Sequence, residues 1–183
     1  MLNKLNIFLP SILAMLAITV AAESKYPVKL KFEPISTCEV SMLLNSHDVP
    51  EIIVSSWKTT NETYLSKPPT GMIAKYDLND DDIEEIFLYL SGQNMCGTGG
   101  CHLIIFQFNT NNQILEYRTV RSSSDDILIL NSLSNDGYRD IAIRLMAGTN
   151  ISKAQAYTVY EWKNGDLKQT DKTTLFQQSN NGD

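Results

Sequence analysis

The chain has 183 residues, 21 of them acidic and 15 basic, for a net charge of −6. That balance argues against nucleic acid or an anionic membrane surface as a partner and suits a basic protein instead. The length fits one domain with one core, and no Pro-, Gly- or Ser-rich linker divides it.

The first 22 residues have the three parts of a secretory signal peptide: a short basic start ending at Lys4, an apolar run from Ile7 to Val20, and small residues up to Ala22. Cleavage after Ala22 leaves residues 23–183 as a single exported, β-rich domain, periplasmic or secreted. Pro10 interrupts the apolar run, whereas a membrane span needs roughly 20 uninterrupted apolar residues, so no membrane anchor is expected. No Cys follows the run, so nothing resembles a lipoprotein processing site.

Tyr26–Glu33 alternates apolar and polar residues, as a half-buried first strand should. A helix is predicted next, with Asp48 as its cap, Pro50 in its first turn, Glu51 three residues after the cap, and Ile53 and Trp57 sharing a face. The β-branched run Ile52–Val54 works against that helix. From Met72 onward the chain reads as short strands bounded by polar turns: Met72–Tyr76, Glu85–Leu90, His102–Phe108, Ile114–Val120, Ile127–Leu130, Ile141–Leu145 and Ala156–Trp162. Asn109-Thr110-Asn111-Asn112 marks one turn, and Asn164-Gly165 is a strong hairpin signal. The fold class is therefore mainly β (α+β), an antiparallel meander or sandwich-like sheet with one short N-terminal helix. Leu103–Phe108 is apolar on both faces and marks a central strand, whereas Ile141–Leu145 alternates and is expected to face solvent on one side.

Two strand-loop-strand units repeat. Asp77-Leu78-Asn79-Asp80-Asp81-Asp82-Ile83-Glu84-Glu85 leads into one apolar strand, and Ser132-Leu133-Ser134-Asn135-Asp136-Gly137-Tyr138-Arg139-Asp140 into another. The first resembles the calcium loops of FG-GAP and VCBS-type repeats. The resemblance implies calcium ligands at Asp77, Asn79, Asp81, the Ile83 carbonyl and Glu85, since calcium takes six to eight oxygens and alternate loop residues can point inward. Asp82 stands where that family has glycine, so a side chain must adopt the left-handed turn. The second unit keeps Gly137 but has Ser132 and Ser134 at carboxylate positions, which reads as a relic that has lost the ion. Two units are too few for a propeller. Any bound calcium would be structural, and the plain alternative is a solvated acidic loop.

Three cysteines follow the signal segment: Cys38, Cys96 and Cys101. In an oxidising compartment the segment Cys96-Gly97-Thr98-Gly99-Gly100-Cys101 favours a Cys96–Cys101 disulfide, because three of its four inner residues are glycine and let a short ring close. A bridge to Cys38 is the rival, as is a zinc site using the two thiols and His102, which lacks a fourth ligand. The acidic loop followed by CGTGGC between apolar strands resembles an uncharacterised group of small exported bacterial proteins. The spacing of the two cysteines is also similar to that of a loop in some periplasmic lysozyme inhibitors, although here no ring residue is larger than Thr98 and His102 lies just outside it.

A catalytic constellation is not evident. His47 lies in a polar turn-like stretch, His102 opens a strand, and GxSxG, HExxH and P-loop patterns are absent. The expectation is a non-catalytic exported protein that binds and neutralises another protein, a cell-wall hydrolase or toxin, in the manner of an inhibitor or immunity protein. Its partner-binding loop would be Gly97, Thr98, Gly99, Gly100 and His102, because a clamped ring loses little entropy on binding. The alternatives are a calcium-stabilised structural or adhesive envelope module and a thiol redox protein using Cys96 and Cys101. Sequons at Asn61 and Asn150 matter only in a eukaryotic source.

Overall fold

A computed structural model of the chain describes residues 26–45, 49–63, 68–111, 113–144 and 155–176. The signal segment, His47, the expected cap Asp48, Asn112, Leu145 and the Asn150 sequon lie outside the described residues. The elements in chain order are β1 (Val28–Lys29), β2 (Glu33–Ile35), α1 (Thr37–Asn45), α2 (Glu51–Thr63), β3 (Thr70–Tyr76), β4 (Glu85–Ser91), β5 (Cys96–Gly97), β6 (Gly100–Phe108), β7 (Ile114–Ser122), β8 (Ile127–Leu133), β9 (Arg139–Arg144), β10 (Gln155–Lys163) and β11 (Asp166–Phe176).

These strands form two antiparallel sheets, as a mainly β fold requires. One has the order β1-β8-β9-β10-β11; the other runs β2-β3-β4-β6-β7, with the short β5 continuing β4's edge of β6. Alternation along β4 and β6 sends side chains to two different cores. Phe87, Tyr89, Leu103 and Ile105 meet Ile127, Ile129, Ile141, Ile143 and Trp162 of the first sheet. Leu88, Leu90, Ile104 and Phe106 face Val40, Leu44, Ile53 and Trp57 of the helices. The layers are thus helices, sheet, sheet, and β6 is the central strand its two apolar faces predict.

Several expectations change in detail. Tyr26–Glu33 is not one strand: Val28 pairs with Ile129 in one sheet, whereas Glu33 pairs with Ile73 in the other, so the chain crosses between sheets there. Two helices replace the single one predicted. Ser36 and Glu39 close a capping box before α1: Ser36 Oγ accepts the Glu39 amide at 3.2 Å, and Glu39 Oε2 accepts the Ser36 amide at 2.9 Å. The Ser36 hydroxyl and amide also hold the Glu39 carboxyl below its usual range. The predicted helix is α2; the Pro50 carbonyl accepts the Ile53 amide at 2.7 Å, and burial of Ile53, Trp57 and Thr60 on one face outweighs the β-branched run.

β9 also departs from expectation. Arg139–Ile143 is buried on both faces because Ala142 packs with Leu128, Tyr157 and Val159 on the outer side of the sheet. β11, absent from the predicted strands, follows the Asn164-Gly165 turn, whose residues have φ of 56° and 71° as a tight hairpin requires. At Gly71 of β3, an added Cβ would stand 2.2 Å from Val40 Cγ2, so glycine is what lets α1 lie close on the sheet.

Candidate functional site

The β3–β4 connection is a loop folded around its own acids. Asp77 Oδ1 accepts the amides of Asn79 and Asp81, both at 3.2 Å, and its Oδ2 accepts the Asp82 amide at 2.9 Å. Asp81 Oδ1 accepts the Ile83 amide at 2.8 Å, and Oδ2 accepts Asn79 Nδ2 at 2.9 Å. Asp80 and Asp82 take left-handed φ of 57° and 65°, so the position expected to need glycine adopts that geometry as an aspartate. Leu78 drops its side chain into the core, and its amide donates to Glu85 Oε2 at 2.8 Å.

Glu85 is 1% exposed. Its carboxyl is pushed up to about 7, chiefly by burial, with the Leu78 amide opposing and the Asp81 and Asp77 charges adding.

The five residues implied as calcium ligands therefore share one turn, but their carboxylates mostly accept the loop's own amides. Among the described residues, no three Asp, Glu, His or Cys side chains are grouped so as to hold a metal ion. Asn79 Oδ1 is buried without a hydrogen-bond partner, an oxygen of the kind calcium takes.

The second repeat lies beside the first. Arg139 pairs through its guanidinium with Asp80, its amide donates to the Leu78 carbonyl at 2.8 Å, and its carbonyl accepts Trp162 Nε1 at 3.1 Å. The same guanidinium sits 4.5 Å over the Tyr26 ring. One arginine thus ties both turns and the N-terminal segment together. The second turn keeps its hairpin form, with Gly137 at φ 83° and the Ser134 amide donating to the Tyr138 carbonyl at 2.9 Å. Asp136 Oδ2 accepts the Gly165 amide at 2.7 Å, docking this turn on the β10–β11 hairpin.

The disulfide forms between Cys96 and Cys101, with an S–S distance of 2.03 Å, and Cys38 is free and exposed on α1. The two bonded cysteines face each other across β5 and β6. Gly100, at φ 104°, packs against the Ser122 carbonyl, where an added Cβ would be 2.5 Å away. Arg121 braces the ring from β7, its Nη1 donating to the carbonyls of Gly100 at 3.3 Å and Met95 at 3.5 Å. Gly97, Thr98 and Gly99 form the exposed tip, and a Cβ added at Gly97 would meet nothing within 4 Å. His102 is half-buried, pairing across the sheet with Leu90 and Arg121; burial and then the Arg121 charge lower its pKa.

The structure separates the two predicted sites. The acidic loop enters β4 at Glu85, and the disulfide ring follows β4 beyond Ser91, so they occupy opposite ends of that strand. Beside the ring, a cleft of about 250 Å³ is lined by Thr98, Gly99, Arg121, Arg144, Thr158 and Tyr160. Nothing in the local sequence signalled that the two arginines share it, because they come from different sheets.

No helix of the described residues is long and apolar enough to cross a membrane. No protein-family model matches the chain, and no curated protein or solved structure matches it either.

Proposed function

We propose that this is an exported, non-catalytic protein that inhibits or neutralises another protein, a cell-wall hydrolase or a toxin, by inserting its disulfide-clamped hairpin. The observation that carries this reading is the hairpin itself: an exposed Gly97-Thr98-Gly99 tip held by the Cys96–Cys101 bond and braced by Arg121. A tip fixed before binding loses little conformational entropy when it enters a cleft. The disulfide suits an oxidising compartment, and the chain's net charge of −6 steers it toward basic partners.

The test is inhibition of purified basic wall hydrolases in a cell-wall clearing assay, comparing the wild-type protein with Gly97→Arg. The open space around Gly97 lets the variant fold while blunting the tip. Slowed clearing by the wild type alone supports the proposal. It is overturned if no hydrolase or wall-degrading toxin is affected, or if Gly97→Arg inhibits equally.

A second reading, a calcium-stabilised envelope module, is favoured by the orphaned Asn79 Oδ1. It assigns the ion to Asp77, Asn79, Asp81, the Ile83 carbonyl and Glu85, where it would neutralise crowded carboxylates and stiffen the turn. The amide bonds that already occupy Asp77 and Asp81 weigh against it.

A further inference from the structure

The second repeat contains a buried acid that neither proposed role uses. Asp140 stands where Glu85 stands in the first repeat and is only 5% exposed. Its Oδ2 accepts the Ser132 hydroxyl at 2.6 Å. Its Oδ1 is buried with no hydrogen-bond partner. A carboxylate desolvated with one oxygen open is costly, and the usual remedy is a cationic donor.

Lys172, whose charge Asp140 feels, does not supply one, since it gives its ammonium to Glu161. Burial raises the Asp140 pKa, the Ser132 hydroxyl opposes this, and the Glu161 and Lys172 charges act in opposite directions.

Asp140 lines a cleft of about 430 Å³ between the second turn and the β10–β11 hairpin. Ser132, Ser134, Asp136 and Glu161 supply further acceptors around it, and Lys163 and Lys172 are its cations. Leu133, 56% exposed, and Trp162 give it apolar wall. The volume far exceeds the roughly 30 Å³ of a water molecule. Three acids, of which Asp140 is the buried one with an open oxygen, hydroxyls beside it and an apolar flank fit a cationic head on an alkyl stem.

We propose that this cleft is a receptor for an alkylammonium or alkylguanidinium group, with Asp140 as the anion that pairs with it. The head group donates to Oδ1, Ser132 holds the carboxylate in place through Oδ2, and Leu133 covers the stem. Its lining shares no residue with the cleft beside the disulfide tip, so it does not depend on the inhibitor reading. Its cation can come from a free amine or from a Lys or Arg side chain of another protein.

The experiment is an amide-resolved NMR titration of the wild-type chain with n-butylammonium, n-butylguanidinium and neutral n-butanol, repeated with Asp140→Asn. Spermidine and N-acetyl-lysine amide form the arms that separate a free polyamine from a side chain, the tighter of the two naming the source. Saturable shifts centred on Ser132, Asp140 and the Trp162 indole with the cations and not with butanol support the proposal, together with an affinity loss of about tenfold or more in Asp140→Asn. Equal response to butanol overturns it, as does undiminished binding by Asp140→Asn or absence of any saturable shift. The ammonium-against-alcohol comparison uses the wild type alone, so it decides the matter even if the variant does not fold.

Discussion

Replacing Glu85 by glutamine removes a charge that the fold holds at a disadvantage. Burial lifts the Glu85 carboxyl from 4.5 to about 7, so the folded state binds its proton more tightly than the unfolded chain does. A raised acid contributes its full stability below the unfolded value and loses it as pH climbs, so the window runs from about 4.5 to about 7. At 1.36 kcal/mol per unit, the loss across that window is about 3 kcal/mol. The amide side chain of the Glu85→Gln variant keeps an oxygen for the Leu78 amide, which lies 2.8 Å from Glu85 Oε2 in the wild type, and it cannot ionise. The charged groups facing Glu85 are Asp77 and Asp81 on its own loop, and Tyr138 from the other turn feels its charge.

The assay is urea denaturation of both proteins in chelator at either end of the window. The stability gap, Glu85→Gln minus wild type, should shift in the variant's favour by about 3 kcal/mol on going from the acid to the neutral side. Asp140, also raised by burial, contributes to the slope of both proteins and cancels in the difference. A gap independent of pH would refute the reasoning and place Glu85 in a site that solvates its charge.

Cys96→Ser with Cys101→Ser should cost about 2 kcal/mol by chain entropy, read in urea unfolding, because the bonded cysteines are five residues apart. Gly71→Ala should destabilise by about 1–3 kcal/mol, because its Cβ would collide with Val40 across the α1–β3 contact; unchanged melting would contradict that packing. The calcium reading expects a chelator to lower the melting temperature and added calcium to restore it, so identical melting curves retire it. Mass measurement after alkylation should show one modified thiol, Cys38, in the native protein and three after reduction; three before reduction would exclude the bridge.

Local patterns in the sequence carry the strands whose environment is uniform. Leu103–Phe108 reads correctly because both its neighbours, helices and sheet, are apolar. Alternation fails where context switches: Val28 and Glu33 belong to different sheets, and periodicity does not record which sheet a strand joins. The capping box Ser36–Glu39 is a signal for α1 in the sequence, but a short one beside the stronger pattern at Pro50. β11 is an edge strand rich in Lys, Thr and Asp, residues that protect an edge and that hide it from a hydrophobic reading. Of the site, the disulfide was legible because its glycines crowd the short stretch between the two cysteines. The joint between Arg139 and Asp80 was not, since the partners are 59 residues apart and only the packed sheets bring them together.

The crossing of the N-terminal segment between the sheets also sets the order of assembly. Val28 finds Ile129 only after a stretch of about a hundred residues has been made, whereas β3, β4, β6 and β7 close through short neighbouring hairpins. In a chain that emerges N-terminus first, β1 must wait unpaired while the helix-covered sheet forms. Seating it at the edge of β8 ties the N-terminal segment, whose next strand belongs to the other sheet, to residues about a hundred positions later, so the two sheets are joined through the chain's own start.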